Sequence, residues 1–292
     1  MDVVETIEQV RRRIRLARNA GKAVGFVPTM GALHQGHASL IDAARACCEF
    51  VAVSIFVNPT QFAPNEDLSK YPRTPQADME LCREHGADLV FMPSVDEIYG
   101  CGSLTDVRVE SLSRTLCGAS RSGHFDGVCV VMAKLFNIVA PDKVFFGAKD
   151  FQQAAIIKRM VADLNFPVEI VVCPTVREAD GLAMSSRNRY LTPAQRVQAP
   201  ALHDSLALAA GMIRSRRTKD GGLETREVVA AIRRNLAARA PEGTIDYVSI
   251  VDPRTLADVQ TITGPVLIAL AVKLGAARLI DNMLVDGLEG GT

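Results

Sequence analysis

The regular alternation of short apolar segments with helical segments over the first 176 residues constrains the fold more than any other sequence feature. Strands are predicted at residues 23–27, 50–57, 88–93, 143–147 and 168–172. Helices are predicted at residues 3–18, 36–46, 128–138 and 150–164. Strands that alternate with helices predict a parallel sheet with right-handed crossover connections. Ligands of such sheets bind outside the carboxyl ends of the strands.

The pattern changes after about residue 176. Helices are then predicted over residues 197–213 and 229–236, followed by strands over residues 245–251 and 266–272. This order favours a small α+β unit rather than a continuation of the parallel sheet. The sequence therefore predicts an α/β domain over residues 1–176 and a smaller α+β domain over residues 177–292.

The composition favours a protein that acts on a small molecule. Lys plus Arg total 33 and Asp plus Glu total 33, so the formal net charge is zero. Proteins that bind a nucleic-acid backbone usually carry a surplus of positive charge, so no nucleic-acid partner is predicted. The seven cysteines form no C-x-x-C pair, which speaks against a disulfide framework or a zinc ribbon and is typical of a reduced compartment.

No sequence segment indicates export or membrane insertion. The first residues lack the basic-then-apolar pattern of a signal peptide. The apolar run at 266–272 stops at Lys273 and is too short to span a membrane. The chain is therefore predicted to be cytoplasmic, with no membrane partner.

The most informative segment is residues 28–37, Pro-Thr-Met-Gly-Ala-Leu-His-Gln-Gly-His, which joins the first predicted strand to the next helix. Its two glycines allow the backbone to bend and a ligand to approach closely. His34 and His37 are three residues apart, so at a helix start they share one face. Free N–H groups at a helix start form a natural phosphate site, and two imidazoles add donors for a phosphoryl group. Two other interpretations stay open, a pair of metal ligands or histidines that bond within the turn.

A second segment, residues 143–153, again runs from a strand into a predicted helix. Lys149 lies at this boundary, and Asp150 is well placed to cap the helix. The lysine directs a positive charge toward the same edge of the sheet. The glycine spacing of a phosphate-binding P-loop is absent, and a solvated lysine is the alternative interpretation.

A third segment, residues 177–188, contains Ser185, Ser186 and Arg187. Their hydroxyl and guanidinium groups can donate to phosphate oxygens. The segment lies at the predicted domain boundary, and clefts between domains commonly bind ligands. The alternative is a polar linker between the two domains.

Together these segments resemble the H-x-G-H and K-M-S-K-S-like motifs of the nucleotidyltransferase superfamily. Within it, the chain resembles the pantoate–β-alanine ligase family through motifs that follow in order from residue 28 to residue 282. These motifs are Pro28-Thr-Met-Gly-Ala-Leu-His-Gln-Gly-His, Phe56-Val-Asn-Pro-Thr-Gln-Phe, Tyr71-Pro-Arg-Thr, Gly123-His-Phe-Asp-Gly-Val, Phe146-Gly-Ala-Lys-Asp-Phe-Gln-Gln, Met184-Ser-Ser-Arg-Asn and Arg278-Leu-Ile-Asp-Asn. The resemblance implies a Rossmann-like parallel-sheet domain at the N-terminus, with the smaller C-terminal domain closing over an ATP site.

The resemblance also implies a reaction and its residues. Pantoate is condensed with β-alanine through a pantoyl-adenylate, with consumption of ATP, and pyrophosphate and AMP are released. The implied catalytic residues are His37, in an acid-like role, His34 and Lys149. The implied ATP contacts are Met30, Gly31, Ala32, Leu33, His34, Gln35, Gly36, His37, Gly147, Ala148, Lys149, Asp150, Val176, Met184, Ser185, Ser186 and Arg187. The implied substrate contacts are Gln61, Gln153, Asn58, Arg121 and His124.

The sequence says less about the metal ligands and the oligomeric state. Mg²⁺ is expected to enter with ATP, held largely by phosphate oxygens and water. Asp78 and Glu80 follow the Tyr71 motif without forming a clear pair, so no metal ligand is predicted. The family resemblance implies a homodimer. The chain departs from the family at Ala148, where a glutamate is common.

Two alternative functions are consistent with the same motifs. One is another nucleotidyltransferase of the H-x-G-H type that adenylylates a different small acid or a phosphate ester. The other is a catalytically silent nucleotide-binding module. A class I aminoacyl-tRNA synthetase is disfavoured, because it needs a tRNA-binding domain and a basic face that a neutral chain of 292 residues does not offer.

Overall fold

The computed structural model describes residues 1–62, 68–100, 102–216 and 223–286. The chain divides into two units, of which the first contains Met1–Ser113 and Arg121–Val176. The second contains Arg114–Ser120 and the described residues from Arg177 onward. The sequence pattern assigns residues 114–120 to the first domain, but the structure groups them with the second unit. There the hydroxyl of Ser120 donates to Asp246 at 3.0 Å.

The first unit is an α/β structure built on a parallel sheet. Its strands are β1 (Asp2–Val4), β2 (Val24–Thr29), β3 (Phe50–Ile55), β4 (Leu89–Phe91), β5 (Lys143–Gly147) and β6 (Glu169–Cys173). Its helices are α1 (Ile7–Asn19), α2 (Gln35–Cys47), α3 (Pro75–Glu84), α4 (Val95–Tyr99), α6 (His124–Val139) and α7 (Phe151–Asp163). The six strands pair in parallel in the order β1-β4-β3-β2-β5-β6, which confirms the predicted fold class.

Burial of the central strand follows from its sequence. Val24, Phe26 and Val27 of β2 are fully buried, as expected for a parallel strand that has helices on both faces. Helix α2 packs next to this strand through Ile41 and Ala44, which are also fully buried. The strand therefore holds the segment that follows it at a fixed place on the sheet edge.

The first predicted helix is wrong at its start. The sequence pattern places residues 3–18 in one helix, whereas Asp2–Val4 form β1 and pair in parallel with β4. Helix α1 begins only at Ile7, because the side chain of Thr6 caps it by accepting from the Gln9 N–H. A cap of this kind sets the helix boundary and leaves the preceding residues extended.

The strand order places a topological switch point beside β2. Strand β3 lies on one side of β2, and β5, which comes much later in the chain, lies on the other. At such a point the two connections leave the sheet in opposite directions and open a crevice at the carboxyl ends of the strands. The segments that follow β2, β3 and β5 meet at that edge.

The second unit is an α+β structure. Its helices are α5 (Cys117–Ser120), α8 (Pro193–Gln198), α9 (Ala201–Arg216) and α10 (Thr225–Arg239). Its strands are β7 (Leu223–Glu224), β8 (Gly243–Val251), β9 (Thr261–Ile262), β10 (Val266–Leu274) and β11 (Ala277–Val285). Strands β11, β10 and β8 form an antiparallel sheet. Its core packs Leu206, Ile213, Ile232 and Leu270 together.

Two details of this unit differ from the sequence-based prediction. The helix predicted over residues 197–213 is divided into α8 and α9 around Ala199 and Pro200, since a proline lacks the N–H that a helix interior needs. The sequence pattern does not predict strand β11, although this strand contains the motif that begins at Arg278.

Candidate active site

The segment that follows β2, residues 28–37, is called the histidine segment here. The hydroxyl of Thr29 donates to the Ser54 carbonyl at 2.7 Å and accepts the Gly31 N–H at 3.2 Å. Gly31 and Ala32 both have left-handed backbone angles, with φ of 83° and 49°. The Ala32 and Leu33 N–H groups donate to the carboxylate of Asp78 at 3.0 and 2.8 Å. Two side chains therefore hold the backbone of this segment: Thr29, near its start, and Asp78, which lies outside it.

The two histidines cap helix α2 and bond to one another. His34 is the N-cap residue, and its Nδ1 accepts the Gly36 N–H at 3.1 Å. The Nδ1 of His37 accepts the His34 N–H at 3.3 Å, and the ring centroids are 4.1 Å apart. An imidazole nitrogen that accepts a hydrogen bond carries no proton. In its neutral form each ring therefore has its proton on Nε2.

Residue His37 is electrically neutral in this arrangement. Burial, followed by electrostatic interactions with His34 and with the ammonium of Lys149, lowers the pKa of His37 to about 3. The ring stays neutral at physiological pH and can still donate a hydrogen bond through Nε2–H. The acid-like role expected for His37 is therefore limited to hydrogen-bond donation, because a neutral imidazole has no imidazolium proton to transfer.

The helix start differs from the sequence-based expectation of free N–H groups. The Gly36 N–H is taken by the His34 ring, and the His37 N–H donates to the His34 carbonyl at 2.7 Å. The physical reason is that His34 is itself the cap of α2. The donors available to an anion from the two histidines are therefore the ring Nε2–H groups rather than these amides.

Lys149 reaches the same edge of the sheet from β5. It follows Gly147 in a short 3₁₀ turn at Ala148–Asp150 that leads into α7. The ammonium lies 3.9 Å from an oxygen of Asp150 and close enough to His37 to lower its pKa. Asp150 occupies the predicted N-cap position of α7, but its side chain makes no capping hydrogen bond. The structure thus brings His34, His37 and Lys149 together.

The segment after β3 carries Asn58 and Gln61 in a short 3₁₀ turn (Pro59–Gln61). Asn58 is buried, and its side-chain oxygen accepts from the Tyr99 hydroxyl at 2.7 Å and from the Thr60 hydroxyl at 3.0 Å. Its amide nitrogen donates to the Gly127 carbonyl at 3.2 Å. Asn58 therefore fixes the turn against α6, and both Asn58 and Gln61 are expected to contact substrate.

Arg121 and His124 fix the backbone of that turn. The His124 Nδ1–H donates to the Gln61 carbonyl at 2.8 Å, and a guanidinium nitrogen of Arg121 donates to the same carbonyl at 3.3 Å. A second guanidinium nitrogen donates to His124 Nε2 at 3.0 Å. Gln153 lies in the first turn of α7, at the strand end that also carries Lys149. The carboxyl ends of β3, β2 and β5 thus carry Asn58 and Gln61, the histidine segment, and Lys149 with Gln153.

The serine segment, residues 177–188, belongs to the second unit, and Val176 is the last residue of the first. Its first residue, Arg177, makes a two-point ion pair with the buried Asp281 at 2.7 and 3.0 Å. Arg177 also forms a β-bridge to Ala183. At the other end, the Asn188 amide donates to Glu178 at 2.8 Å and to the Ala183 carbonyl at 3.2 Å.

Within this segment the expected phosphate-binding residues form a short turn. The hydroxyl of Ser185 accepts the Arg187 N–H at 3.2 Å and caps the 3₁₀ turn at Ser186–Tyr190. Met184 and Arg187 are half-buried, and Ser186 is buried. The serine segment is therefore ordered by its own capping, by the ion pair of Arg177 and by the internal bonds of Asn188.

Sequence reasoning missed the structural roles of Asp78 and Asp281. From the sequence, Asp78 is only an acidic residue after the Tyr71 motif that is not assigned as a metal ligand, and Asp281 is only part of the Arg278 motif. Asp78 is buried and Glu80 is exposed, so the two do not form a pair. Among the described residues, no group of three or more His, Cys, Asp or Glu side chains could hold a metal ion, so the open interpretation of the histidines as metal ligands has no support there.

Comparison with known proteins identifies the family. A family model described as pantoate-beta-alanine ligase matches residues 2–284. The chain belongs to the pantoate–β-alanine ligase family. A curated pantothenate synthetase from Moorella thermoacetica is 53% identical over 98% of this chain and 99% of that protein. One from Acidobacterium capsulatum is 51% identical, with 96% of each protein covered.

Solved structures of pantoate–β-alanine ligases agree with this fold. The pantothenate synthetase of Thermus thermophilus has a TM-score of 0.90 and 43% identity, covering 98% of this chain and all (100%) of that one. The ligase of Francisella tularensis, solved with beta-gamma ATP and beta-alanine, has a TM-score of 0.74 and 35% identity over 97% of each chain. The chain is thus an enzyme, a pantoate–β-alanine ligase that forms an amide bond. In the described part of the chain, no helix combines the length and apolarity that a membrane span requires.

Proposed function

We propose that the enzyme uses ATP as its co-substrate and works in two half-reactions. In the first, a carboxylate oxygen of pantoate attacks the α-phosphorus of ATP, and the bond to the bridging β-phosphate oxygen breaks, so pyrophosphate leaves. In the second, the amine of β-alanine attacks the acyl carbon of the pantoyl-adenylate, loses a proton and displaces AMP. The observation that carries this proposal is the assembly of His34, His37 and Lys149 beside the switch point of the sheet.

The two histidines stabilise the phosphates through their Nε2–H groups. Each ring accepts a backbone N–H at Nδ1, so each directs an Nε2–H group away from the helix backbone. Charge gathers on the pyrophosphate oxygens as the bond to the α-phosphorus breaks, and preorganised donors stabilise that charge. Lys149 supplies a positive charge at the same place, close to the phosphorus centre. A neutral His37 avoids charge repulsion with this ammonium.

Pantoate is bound by the amides of Gln61 and Gln153. A small hydroxy acid needs donors and acceptors that fix its orientation, which side-chain amides provide. Asn58, Arg121 and His124 act on this pocket through the turn that carries Gln61, since their bonds fix that turn. β-Alanine enters beside Gln61 for the second half-reaction. Exclusion of water protects the acyl-adenylate from hydrolysis.

The remaining ATP contacts lie in residues 28–37, 143–153 and 177–188, apart from Val176. They are proposed to be Met30, Gly31, Ala32, Leu33, Gln35, Gly36, Gly147, Ala148, Asp150, Val176, Met184, Ser185, Ser186 and Arg187. In the serine segment, hydroxyl and guanidinium groups are suited to phosphate oxygens.

Magnesium is proposed to arrive with ATP. The carboxylate of Asp78 accepts three hydrogen bonds from this chain, and the described residues contain no cluster of metal-ligating side chains. A Mg²⁺ ion that keeps several waters and binds phosphate oxygens needs no such cluster. The working form is proposed to be a cytoplasmic homodimer without a nucleic-acid partner, in keeping with the zero net charge.

The decisive assay separates the two half-reactions. Purified enzyme with ATP, Mg²⁺ and pantoate is expected to release pyrophosphate, and AMP is expected only after β-alanine is added. Pyrophosphate release that does not depend on pantoate would contradict the proposal and favour a nucleotidyltransferase with another acceptor. ATP binding without any pyrophosphate release would indicate a silent nucleotide-binding module.

A further inference from the structure

We propose that Asp78 is a positioning residue that fixes the backbone of residues 30–33 in the shape that aligns ATP. This inference rests on the proposed use of ATP by the histidine segment. It assigns Asp78 a role distinct from metal binding. The carboxylate is an internal anion that accepts the Ala32 and Leu33 amides, so these two amides do not bind the phosphates of ATP.

Two of the three hydrogen bonds that the carboxylate of Asp78 accepts come from this segment. Asp78 lies in the first turn of α3 and is 2% exposed. One oxygen accepts the Ala32 N–H at 3.0 Å, and the other accepts the Leu33 N–H at 2.8 Å. The second oxygen also accepts the Thr74 hydroxyl at 3.0 Å. Both oxygens therefore bind groups that fix where the segment lies relative to α3.

The backbone that Asp78 holds is unusual. Gly31 and Ala32 are two consecutive residues in the left-handed region, with φ of 83° and 49°. A non-glycine residue adopts this conformation only when its surroundings impose it. Backbone turned this way directs successive N–H groups toward a shared anion. Here that anion is the side chain of Asp78, which makes the strained turn the stable one.

Close packing around Gly31 supports the same interpretation. A Cβ atom at this position would lie 3.1 Å from an oxygen of Asp78 and 3.1 Å from a methyl carbon of Ile55. The carboxylate therefore approaches the segment so closely that a side chain on residue 31 would push it away. This close contact holds the turn in place. A carboxylate that binds a hydrated metal ion would instead need to be open to solvent.

The test uses Asp78→Asn, which keeps the shape of the side chain but presents an NH₂ group to one of the two amides. We expect the KM for ATP in pantoate-dependent pyrophosphate release to rise about tenfold or more, because small misplacements of bound groups are costly. The KM for pantoate and the Mg²⁺ concentration for half-maximal rate should stay within about twofold, as only the ATP-binding backbone is displaced. ATP affinity measured by calorimetry should fall by the same factor as the KM rises.

The matched control is Asp88→Asn. Asp88 also accepts a backbone N–H, from Val51 at 2.8 Å, and pairs with Arg45 at 2.7 Å, but it lies at the opposite end of the strands. We expect this control to lose thermal stability and to keep the wild-type KM for ATP. A merely structural role of Asp78 would give the two variants the same pattern.

Three results would overturn the inference. These are an unchanged KM for ATP in folded Asp78→Asn, an equal rise in the KM for pantoate, or recovery of the rate at high Mg²⁺, which would make Asp78 a metal ligand. If Asp78→Asn does not fold, Thr74→Val decides, since it removes one donor to the carboxylate. A KM for ATP raised about twofold supports the inference, and an unchanged one refutes it.

A wild-type enzyme without pantoate-dependent pyrophosphate release refutes the proposed function instead. Calorimetry with ATP then tests the role of Asp78 separately.

Discussion

The histidine segment and the serine segment are each held by a buried aspartate, but in different ways. Asp78 bonds directly to the backbone N–H groups of the histidine segment, at 3.0 and 2.8 Å. Asp281 bonds to the guanidinium of Arg177, at the first residue of the serine segment. The first contact fixes the conformation of the residues proposed to bind ATP, whereas the second fixes only the place where its segment begins.

This difference indicates that the two segments are ordered to different extents before a ligand binds. Direct bonds to successive amides leave residues 31–33 little freedom, so the histidine segment is organised before substrate arrives. The serine segment is tied to the rest of the chain at Arg177 and, through Glu178 and Asp180, to Arg196, whereas Asn188 bonds to Glu178 within the segment. Met184 and Ser185 lie outside these bonds, so this part of the segment can adjust when a ligand binds, as segments that order around a ligand do.

The largest expected effect lies in the histidine region, where Lys149 contributes its charge. Lys149→Ala should lower the rate of pantoyl-adenylate formation by about 10²–10³, the loss typical of one transition-state charge contact. The rate is measured as pantoate-dependent pyrophosphate release. Lys158→Ala, which changes an exposed lysine of helix α7, serves as the control and should keep the wild-type rate. An undiminished rate in Lys149→Ala would mean that the phosphates bind elsewhere.

An intermediate effect is expected where the serine segment is tied. Arg177→Met leaves the buried carboxylate of Asp281 without its ion-pair partner, so the free energy of unfolding should fall by about 2–4 kcal/mol. Cleavage by trypsin after Arg187 should become faster, because the segment loses one of its ties. Urea unfolding and timed proteolysis measure the two effects.

The control for this prediction is Arg159→Met, which breaks an exposed pair with Asp163 and should cost less than about 0.5 kcal/mol. Equal proteolysis of wild type and Arg177→Met would show that the serine segment is ordered by its own turn, and the contrast with the histidine segment would disappear.

The smallest expected effect near neutral pH is a pH dependence of stability at the histidine segment, which grows as the pH falls. The pKa of His37 is about 3 in the folded chain, below the ordinary value near 6.5 of the unfolded chain. The unfolded state therefore binds a proton that the folded state does not, and stability falls as the pH drops from about 6.5 toward 3. His37→Gln should remove about one proton from this dependence, measured as urea midpoints at several pH values.

Nuclear magnetic resonance provides the direct check on this last prediction. The ring nitrogens of His37 should keep the chemical shifts of a neutral imidazole from pH 8 to about pH 5 in the ligand-free enzyme. A titration of this ring near pH 6.5 would show that the histidine segment does not exclude the charged form, and that it is less rigid than its hydrogen bonds indicate.

Local sequence patterns were sufficient for the parallel α/β class and for the segments that carry His34, His37 and Lys149. Strand and helix periodicities are properties of neighbouring residues, and the carboxyl-end rule then places the segments after β2, β3 and β5 at one edge. The same logic failed for β1 and β11, because a short strand is defined by the partner with which it pairs. A local pattern also does not show that the side chain of Asn58 fixes a turn, through its bonds to Gly127 and Tyr99.

The family, the chemistry of the side chains and the order in which the segments meet the sheet edge can all be inferred from the amino-acid sequence. How those groups are used depends on the folded structure. The N–H groups of Gly36 and His37 are already bonded, His37 is neutral, and the amides of Ala32 and Leu33 belong to Asp78, 46 and 45 residues away in the chain. Hydrogen-bond partners and burial depend on contacts between distant residues, and a local pattern contains no record of those contacts.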